Sequence, residues 1–185
     1  MRRTTIEPAD LTGPALADLK AWLGISRPNE DDLLLDLLRA SHDTLTAYIG
    51  QSALTETIEE WVSPTPGEVE LGSRPVTSLV SAEAVVPGEN RQALDPGDFT
   101  LDIDAEGIAR FTLHSMFEAQ ALAIRVRAGI AASWNEVPPA LGQGMVRLAA
   151  YLYRDRDSTG GDRSGNSPPP SVVSLWRPWR GTRLA

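Results

Sequence analysis

Apolar residues recur at helical spacing in three parts of the 185-residue chain. They predict α-helices over about residues 10–24, 29–50 and 138–154. Gly24 suits the position after the first helix, and Asn29 suits the N-cap of the second, where acidic residues follow in the first turn. The first two helices are expected to pack as a helical hairpin.

The stretch between the second and third predicted helices has a different pattern. Short runs rich in Val, Ile, Thr and Phe alternate with Pro and Gly over about residues 54–130, which predicts an antiparallel sheet. The predicted strands cover residues 57–62, 76–86, 99–103, 108–113 and 122–130. The predicted fold class is therefore α+β and mainly α. It has a three-helix bundle core, an inserted small antiparallel β-sheet and an extended C-terminal arm.

The composition changes again towards the C-terminus. Residues 157–170 are rich in Gly, Ser, Asp and Pro, which predicts a flexible linker. We therefore expect one domain over residues 1–156, followed by the linker and by an arm over residues 171–185.

The charge is unevenly distributed along the chain, whose formal net charge is −8. From Arg147 to the end, seven Arg against three Asp give +4, so the remainder carries −12. An acidic body argues against sequence-specific DNA binding, which needs a basic surface. A basic end indicates a segment that docks on another molecule.

The absence of cysteine excludes disulfides, thiolate zinc sites and cysteine nucleophiles. The basic pair Arg2–Arg3 is not followed by an apolar stretch, so no signal peptide is expected. No run approaches the roughly 20 apolar residues that span a bilayer, and we expect no membrane partner.

One acidic stretch resembles the start of a calcium-binding loop. Asp102, Asp104 and Glu106 alternate before Gly107, but the twelfth position, where an EF-hand has a bidentate Glu, is Leu113. Asp and Gly are common turn residues, and apolar residues alternate on both sides. A hairpin turn is therefore the favoured interpretation over a calcium site.

Three carboxylates near the start of the predicted sheet could in principle act in acid–base catalysis. Glu56 and Glu60 share one face of the predicted strand, and Glu59 lies on the other. No His or Lys is tied to them by spacing, so a solvated strand face is favoured.

The remaining candidates for catalysis are isolated. His42 and His114 belong to no metal-ligand motif, and each is expected at the surface or in an interface. Ser164 lies in a Gly-rich stretch that lacks the Gly-x-Ser-x-Gly pattern. The sequence thus predicts no catalytic, cofactor-binding or metal-binding residue, no cofactor and no enzyme activity.

The C-terminal arm contains the residue types that dominate binding hot spots, namely Trp and Arg. Val172 and Val173 could add to a sheet edge of a partner as a strand. The alternative is that Trp176 and Trp179 fold back onto the core of their own domain. The candidate docking residues are Val172, Val173, Leu175, Trp176, Arg177, Trp179, Arg180 and Arg183.

Several short motifs, taken in order, resemble the phage head–tail connector (adaptor) family of long-tailed phages and gene transfer agents. They are Leu19–Ile25 followed by Asn29–Leu34, Ala47–Gly50, Val126–Gly129 followed by Val137–Leu141, Leu148–Arg156, and Leu175–Arg180. The resemblance implies a helical connector domain with a β insertion, no catalysis, and a C-terminal segment that reaches the portal. It also implies a homo-oligomeric ring, expected to be a dodecamer.

By this resemblance, the protein is a structural component of the virion, at the head–tail interface, and is assembled in the bacterial cytoplasm. Its expected partners are further copies of itself, the portal protein and a stopper or tail-terminator protein. Double-stranded DNA would pass through the ring without specific binding, and Glu59, Asp102 and Asp104 are available to line that channel. The alternatives are another virion ring protein, such as a stopper or tail terminator, and a small host binding module.

Overall fold

The structure is a computed structural model that describes residues 2–86, 88, 91–156 and 168–181. The strands are β1 Arg2–Glu7, β2 Glu56–Val62, β3 Gly67–Glu70, β4 Val76–Val85, β5 Gln92–Ala93, β6 Phe99–Ile103, β7 Ala109–Leu113 and β8 Ala121–Ala128. The α-helices are α1 Pro14–Leu23, α2 Asp31–Ile49, α3 Pro139–Asp155 and α4 Pro170–Trp176, and Trp134–Glu136 and Arg177–Trp179 form 3-10 helices. The α+β class is confirmed, whereas eight strands beside four helices in the described residues do not confirm a mainly α protein.

The chain divides into two compact units. The sheet unit comprises Met1–Ala9 and Leu54–Ile130, and the helical unit comprises Asp10–Ala53 and Ala131–Ala185. The longer segment of the sheet unit contains β2 to β8. The prediction did not include β1, which adds the first residues of the chain to this unit.

The sheet unit contains two antiparallel sheets. The larger has the order β1-β2-β8-β4-β5, and the smaller has the order β3-β7-β6. Side chains alternate between the two faces of a strand, so the apolar residues of each strand lie on one face. Ile58, Phe111 and Val126 therefore belong to one buried hydrophobic core. The central strand β8 is mostly buried, and Phe99 stacks on Phe111 with ring centroids 5.3 Å apart.

The turn between β6 and β7 confirms the predicted hairpin. The Asp104 carboxylate accepts hydrogen bonds from the backbone N–H groups of Glu106 and Ile108, at 3.1 and 2.8 Å. Gly107 has φ +75°, and a Cβ at this position would also collide with Pro75. This carboxylate therefore closes a turn.

In the helical unit, α1 and α2 begin and end close to their predicted bounds. Gly24 ends α1 in the left-handed conformation, as predicted. The prediction that Asn29 caps α2 is wrong, because Glu30 occupies the N-cap position, and its side chain accepts no capping hydrogen bond. The Asp31 N–H instead donates to the carbonyl oxygen of Pro28 at 3.1 Å, so the turn before the helix uses backbone hydrogen bonds.

The helices α1, α2 and α3 pack on one another, and α4 packs on α3. Their buried side chains include Leu19, Leu34, Leu38, Leu45, Leu141, Met145 and Leu148. A three-helix core is therefore not confirmed, since a fourth helix belongs to the same unit. The prediction of an extended arm is wrong for Pro170–Trp179, and strand addition by Val172 and Val173 is excluded in this conformation.

The physical reason for the helix lies in two features of the sequence. Prolines precede and open α4, where they remove no helical hydrogen bond. Val172 and Trp176 are four residues apart, so both fall on one helical face and both are buried. Burial of this face favours the helix over an extended chain.

Candidate functional site

The carboxylates of β2 are buried rather than solvated. Glu59 and Glu60 are 3% and 1% exposed, so the predicted solvated strand face is wrong for both. Both residues lie on β2, which is an inner strand of the sheet between β1 and β8. A buried carboxylate is costly unless it is hydrogen-bonded or paired with a positive charge. Glu59 bonds to arginine side chains, and Glu60 bonds to backbone N–H groups.

Glu59 is paired with two arginines. Arg91 donates to both oxygens of the Glu59 carboxylate, with 3.1 Å between Nη2 and Oε1, and Arg125 Nε donates at 2.8 Å. The hydrogen bond from Arg91 holds the pKa of Glu59 below its usual value, against the opposing effect of burial and with help from Arg125. The Arg91 guanidinium also lies 5.4 Å from the centroid of the Trp61 ring.

Glu60 fixes the loop between β3 and β4. Its two carboxylate oxygens accept hydrogen bonds from the backbone N–H groups of Gly72 and Ser73, at 2.8 and 2.6 Å. Both glutamates therefore have structural roles, and Glu59 cannot line a DNA channel. In the described part of the chain, no group of three or more His, Asp or Glu side chains could hold a metal ion.

The buried pair of His42 and Ser52 superficially resembles a hydrolytic site. His42 Nε2 lies 3.2 Å from Ser52 Oγ, and His42 Nδ1 lies 4.0 Å from Asp43. Both His42 and Ser52 are 3% exposed, so a substrate could not reach the hydroxyl in this structure. The predicted surface position of His42 is wrong because His42 falls on the inner face of α2, whereas His114 is exposed as predicted.

The C-terminal segment is held to its own unit by Trp176. This side chain is fully buried, its ring centroid lies 6.1 Å from that of Tyr48, and Nε1 lies 3.4 Å from the carbonyl oxygen of Leu141. Gly144 on α3 provides the space, because a Cβ there would overlap the indole ring. The alternative that Trp176 folds back onto its own domain is therefore correct.

The outer face of the same segment presents different residues. Arg177, Trp179 and Arg180 are exposed, with 37% of Trp179 accessible. The Arg180 guanidinium lies 5.6 Å from the centroid of the Tyr48 ring. Arg177 and Arg180 also line a groove of about 470 Å³, together with Ala47, Tyr48, Ile49, Gly50 and Gly181.

The predicted docking residues thus separate into three groups. Val172 and Trp176 are buried, Val173 and Leu175 are half-buried, and the three exposed residues form one outer surface. Arg183 lies outside the described residues. The sequence analysis did not distinguish the buried from the exposed residues of this segment. The four-residue spacing of Val172 and Trp176 could have indicated one buried helical face.

Comparison with known proteins gives a match to one family model over part of the chain and a shared fold over all of it. Residues 15–83 match the model of the phage gp6-like head-tail connector proteins. No curated protein matches the chain. None of the helices in the described ranges is long and apolar enough to cross a membrane.

Three solved structures share the fold over the whole chain. The neck of an empty GTA particle, computed with C6 symmetry, is 20% identical with a TM-score of 0.78. The neck of a native GTA particle, computed with C12 symmetry, is 20% identical with a TM-score of 0.76. The virion of a native gene transfer agent (GTA) particle is 21% identical with a TM-score of 0.73. Each alignment covers 100% of this chain and 98% of the other.

The family match includes α1, α2, β2, β3 and most of β4, and therefore contains the helical pair whose motifs suggested the resemblance. The structural likeness extends the shared fold to the remaining elements. The resemblance predicted from the motifs is thereby confirmed, since residues 15–83 match the model of the phage gp6-like head-tail connector proteins.

Proposed function

We propose that this connector forms a homo-oligomeric ring beneath the portal, joins the DNA-filled head to the stopper or tail, and continues the DNA channel. The family match over residues 15–83 carries the proposal. The C6 and C12 symmetry named for the similar neck structures supports a ring, expected to be a dodecamer. The helical pair α1–α2 counts against the alternatives of a stopper or a tail terminator.

The outer surface of the C-terminal segment is the proposed portal-docking site. It consists of Arg177, Trp179 and Arg180, which we call the outer C-terminal surface. Arg binds carboxylates and carbonyl oxygens through several donors, and Trp contributes a large contact area. Trp176 and Val172 hold this surface in place from the inside, so they act on docking through position rather than contact.

The proposed channel agrees with the charge of the sheet unit. That unit contains seven basic and fourteen acidic residues, a net charge of −7. A mostly acidic wall does not hold phosphates, so DNA would pass without the strong, salt-dependent binding that basic walls produce. Asp102 is exposed and remains a candidate for this wall.

The protein would act by binding alone, as a component of the particle assembled in the bacterial cytoplasm. No catalytic step is needed for this role, because ring closure and docking use interface energy and symmetry.

Single substitutions on the outer C-terminal surface test the proposal. Trp179→Ala should weaken binding to portal-bearing heads by about 30-fold, since a hot-spot Trp contributes about 2 kcal/mol. Arg177→Glu and Arg180→Glu should also weaken it. Bound protein is measured after sedimentation of the heads, and circular dichroism should show unchanged helix content.

Arg39→Glu is the matched control, because Arg39 is an exposed arginine on α2 that contacts only Asp36 among the described hydrogen bonds. It should leave docking unchanged. Wild-type binding by all three surface variants would overturn the docking assignment. Removal of residues 168–185 is a poorer test, since it also removes Trp176 from the helical core.

A further inference from the structure

A second groove in the helical unit has no role in the proposed portal docking. It has a volume of about 290 Å³ and is lined by Trp22, Arg147, Ala150, Tyr151, Arg154, Pro169, Ser171 and Val172. Trp22 is 44% exposed, and the Arg147 guanidinium lies 5.4 Å from the centroid of its ring. We call this the Trp22 groove. It combines an apolar floor with two arginines, and no acidic residue is among the described residues that line it.

The sheet unit has an apolar side chain that projects from the surface, whereas the Trp22 groove is concave. Met116, in the loop between β7 and β8, is 73% exposed, the highest value among the large hydrophobic residues described. The next residue, Phe117, packs against the core of the sheet unit, and its N–H lies 3.4 Å from the carbonyl oxygen of Pro64. The Gln120 N–H donates to Val85 at 2.8 Å. The loop is therefore held from within while Met116 projects outward.

The two features are complementary in chemistry. A Met side chain is flexible and unbranched, and its sulfur makes favourable contacts with aromatic rings such as Trp22 and Tyr151. Glu118 lies two residues after Met116 and is exposed, and the loop from 114 to 120 contains no Arg or Lys. The carboxylate of Glu118 thus matches the positive charge of Arg147 and Arg154 at the groove.

We propose that the Met116 loop of one copy inserts into the Trp22 groove of the neighbouring copy in the ring. This inference rests on the proposed function, because it assigns one contact of the proposed ring. Each copy carries both the loop and the groove, and these are different surfaces. Such a head-to-tail contact is the heterologous type that generates closed rings.

The interface buries an apolar residue at its centre and places charges at its edge, as in most protein–protein contacts. The occupant is a second copy because the charge of the loop matches the groove and because a ring requires each copy to supply both halves.

The natural lack of cysteine allows a direct test by cross-linking. Met116→Cys is combined with Ser171→Cys, which places one thiol on the loop and one at the groove. The variant is incorporated into particles and treated with a short bismaleimide, and the products are separated on a denaturing gel. We expect a ladder of covalent oligomers that extends beyond the dimer, whereas either single variant should give no ladder.

Val80→Cys combined with Ser171→Cys is the matched control, because Val80 is also exposed in the sheet unit. It should give no ladder. Exchange of the two charges is a second test of the contact. Glu118→Arg should weaken ring formation about tenfold, and the addition of Arg154→Glu to this variant should restore it.

Electron microscopy of wild-type particles separates the two levels of the proposal. If a ring of this protein is present but the double-cysteine variant gives no ladder, the Met116 contact is wrong and the proposed function stands. A cross-link within a single copy also overturns the contact. If no ring is present, the proposed function fails and the contact fails with it.

Discussion

The two units of this protein use charged residues in different ways. The sheet unit contains seven basic and fourteen acidic residues, and its most buried carboxylates are occupied by internal partners. The helical unit contains ten basic and eleven acidic residues, and its Arg156 and Arg180 lie exposed beside aromatic rings. Net charge therefore does not reveal which unit holds the grooves. The nearly neutral unit holds both grooves discussed above. In the strongly acidic unit, Arg74, Arg91, Arg110 and Arg125 pair with carboxylates of the same unit.

The difference follows from secondary structure. An inner strand such as β2 has neighbours on both edges and covered faces, so a carboxylate on it must be neutralised within the protein. A helix on the surface of a bundle buries only one face, and long side chains on its other face stay available to partners. Substitutions in each unit test this contrast.

The largest expected effect is in the helical unit. Trp176→Ala should lower the free energy of unfolding by about 3–5 kcal/mol, because it removes a fully buried indole ring beside Gly144. Chemical denaturation followed by circular dichroism measures the change. Trp179→Ala is the matched control and should cost less than about 1 kcal/mol, since this Trp is partly exposed. Equal losses from the two would refute the division into inner and outer residues.

The next effect is in the sheet unit. Glu59→Gln should lower the free energy of unfolding by about 3 kcal/mol, because Arg91 and Arg125 lose their shared carboxylate. Glu68→Gln, on the exposed face of β3, should change it by less than about 0.5 kcal/mol. Hydrogen exchange of amides in β2 and β8 should locate the loss. A change for Glu59→Gln as small as for the control would show that the pair is not stabilising.

Acid should act on the same pair. The hydrogen bond from Arg91 lowers the pKa of Glu59 in the folded protein. The resulting stabilisation is complete above the unfolded pKa, about 4.3 for Glu, and is lost as the pH falls through the lower folded pKa. Between pH 7 and pH 3, the wild type should therefore lose more stability than Glu59→Gln does. Parallel losses, measured by denaturation at several pH values, would count against this linkage.

The smallest effect is expected for an exposed pair on α2. Asp36 accepts a hydrogen bond from Arg39 at 2.8 Å, and both side chains are more than half exposed. Asp36→Asn should change the free energy of unfolding by less than about 0.5 kcal/mol, because solvent screens such a pair. Thermal denaturation measures the change in the free energy of unfolding. A loss above about 1 kcal/mol would show that exposure does not predict how much an ion pair stabilises this protein.

The sequence by itself determined the positions of the main helices and most strands. Periods of 3.6 and 2 residues are local properties, and the predicted 29–50 and 99–103 segments therefore lie close to α2 and β6. The turn at Asp104–Gly107 was also local, because one carboxylate and one glycine suffice to form it. The order of short motifs also indicated a resemblance to the head–tail connector family, which the match over residues 15–83 confirms.

Only the tertiary structure decided which residues lie inside. The strand β1 has no alternating pattern and depends on backbone pairing with β2, about 50 residues away along the chain. The burial of Glu59 depends on Arg91 and Arg125, which are distant in sequence. The indole ring of Trp176 is buried because Gly144 on α3 leaves room for it. Each outcome depends on a partner supplied by a remote part of the chain, and local pattern contains no information about such partners.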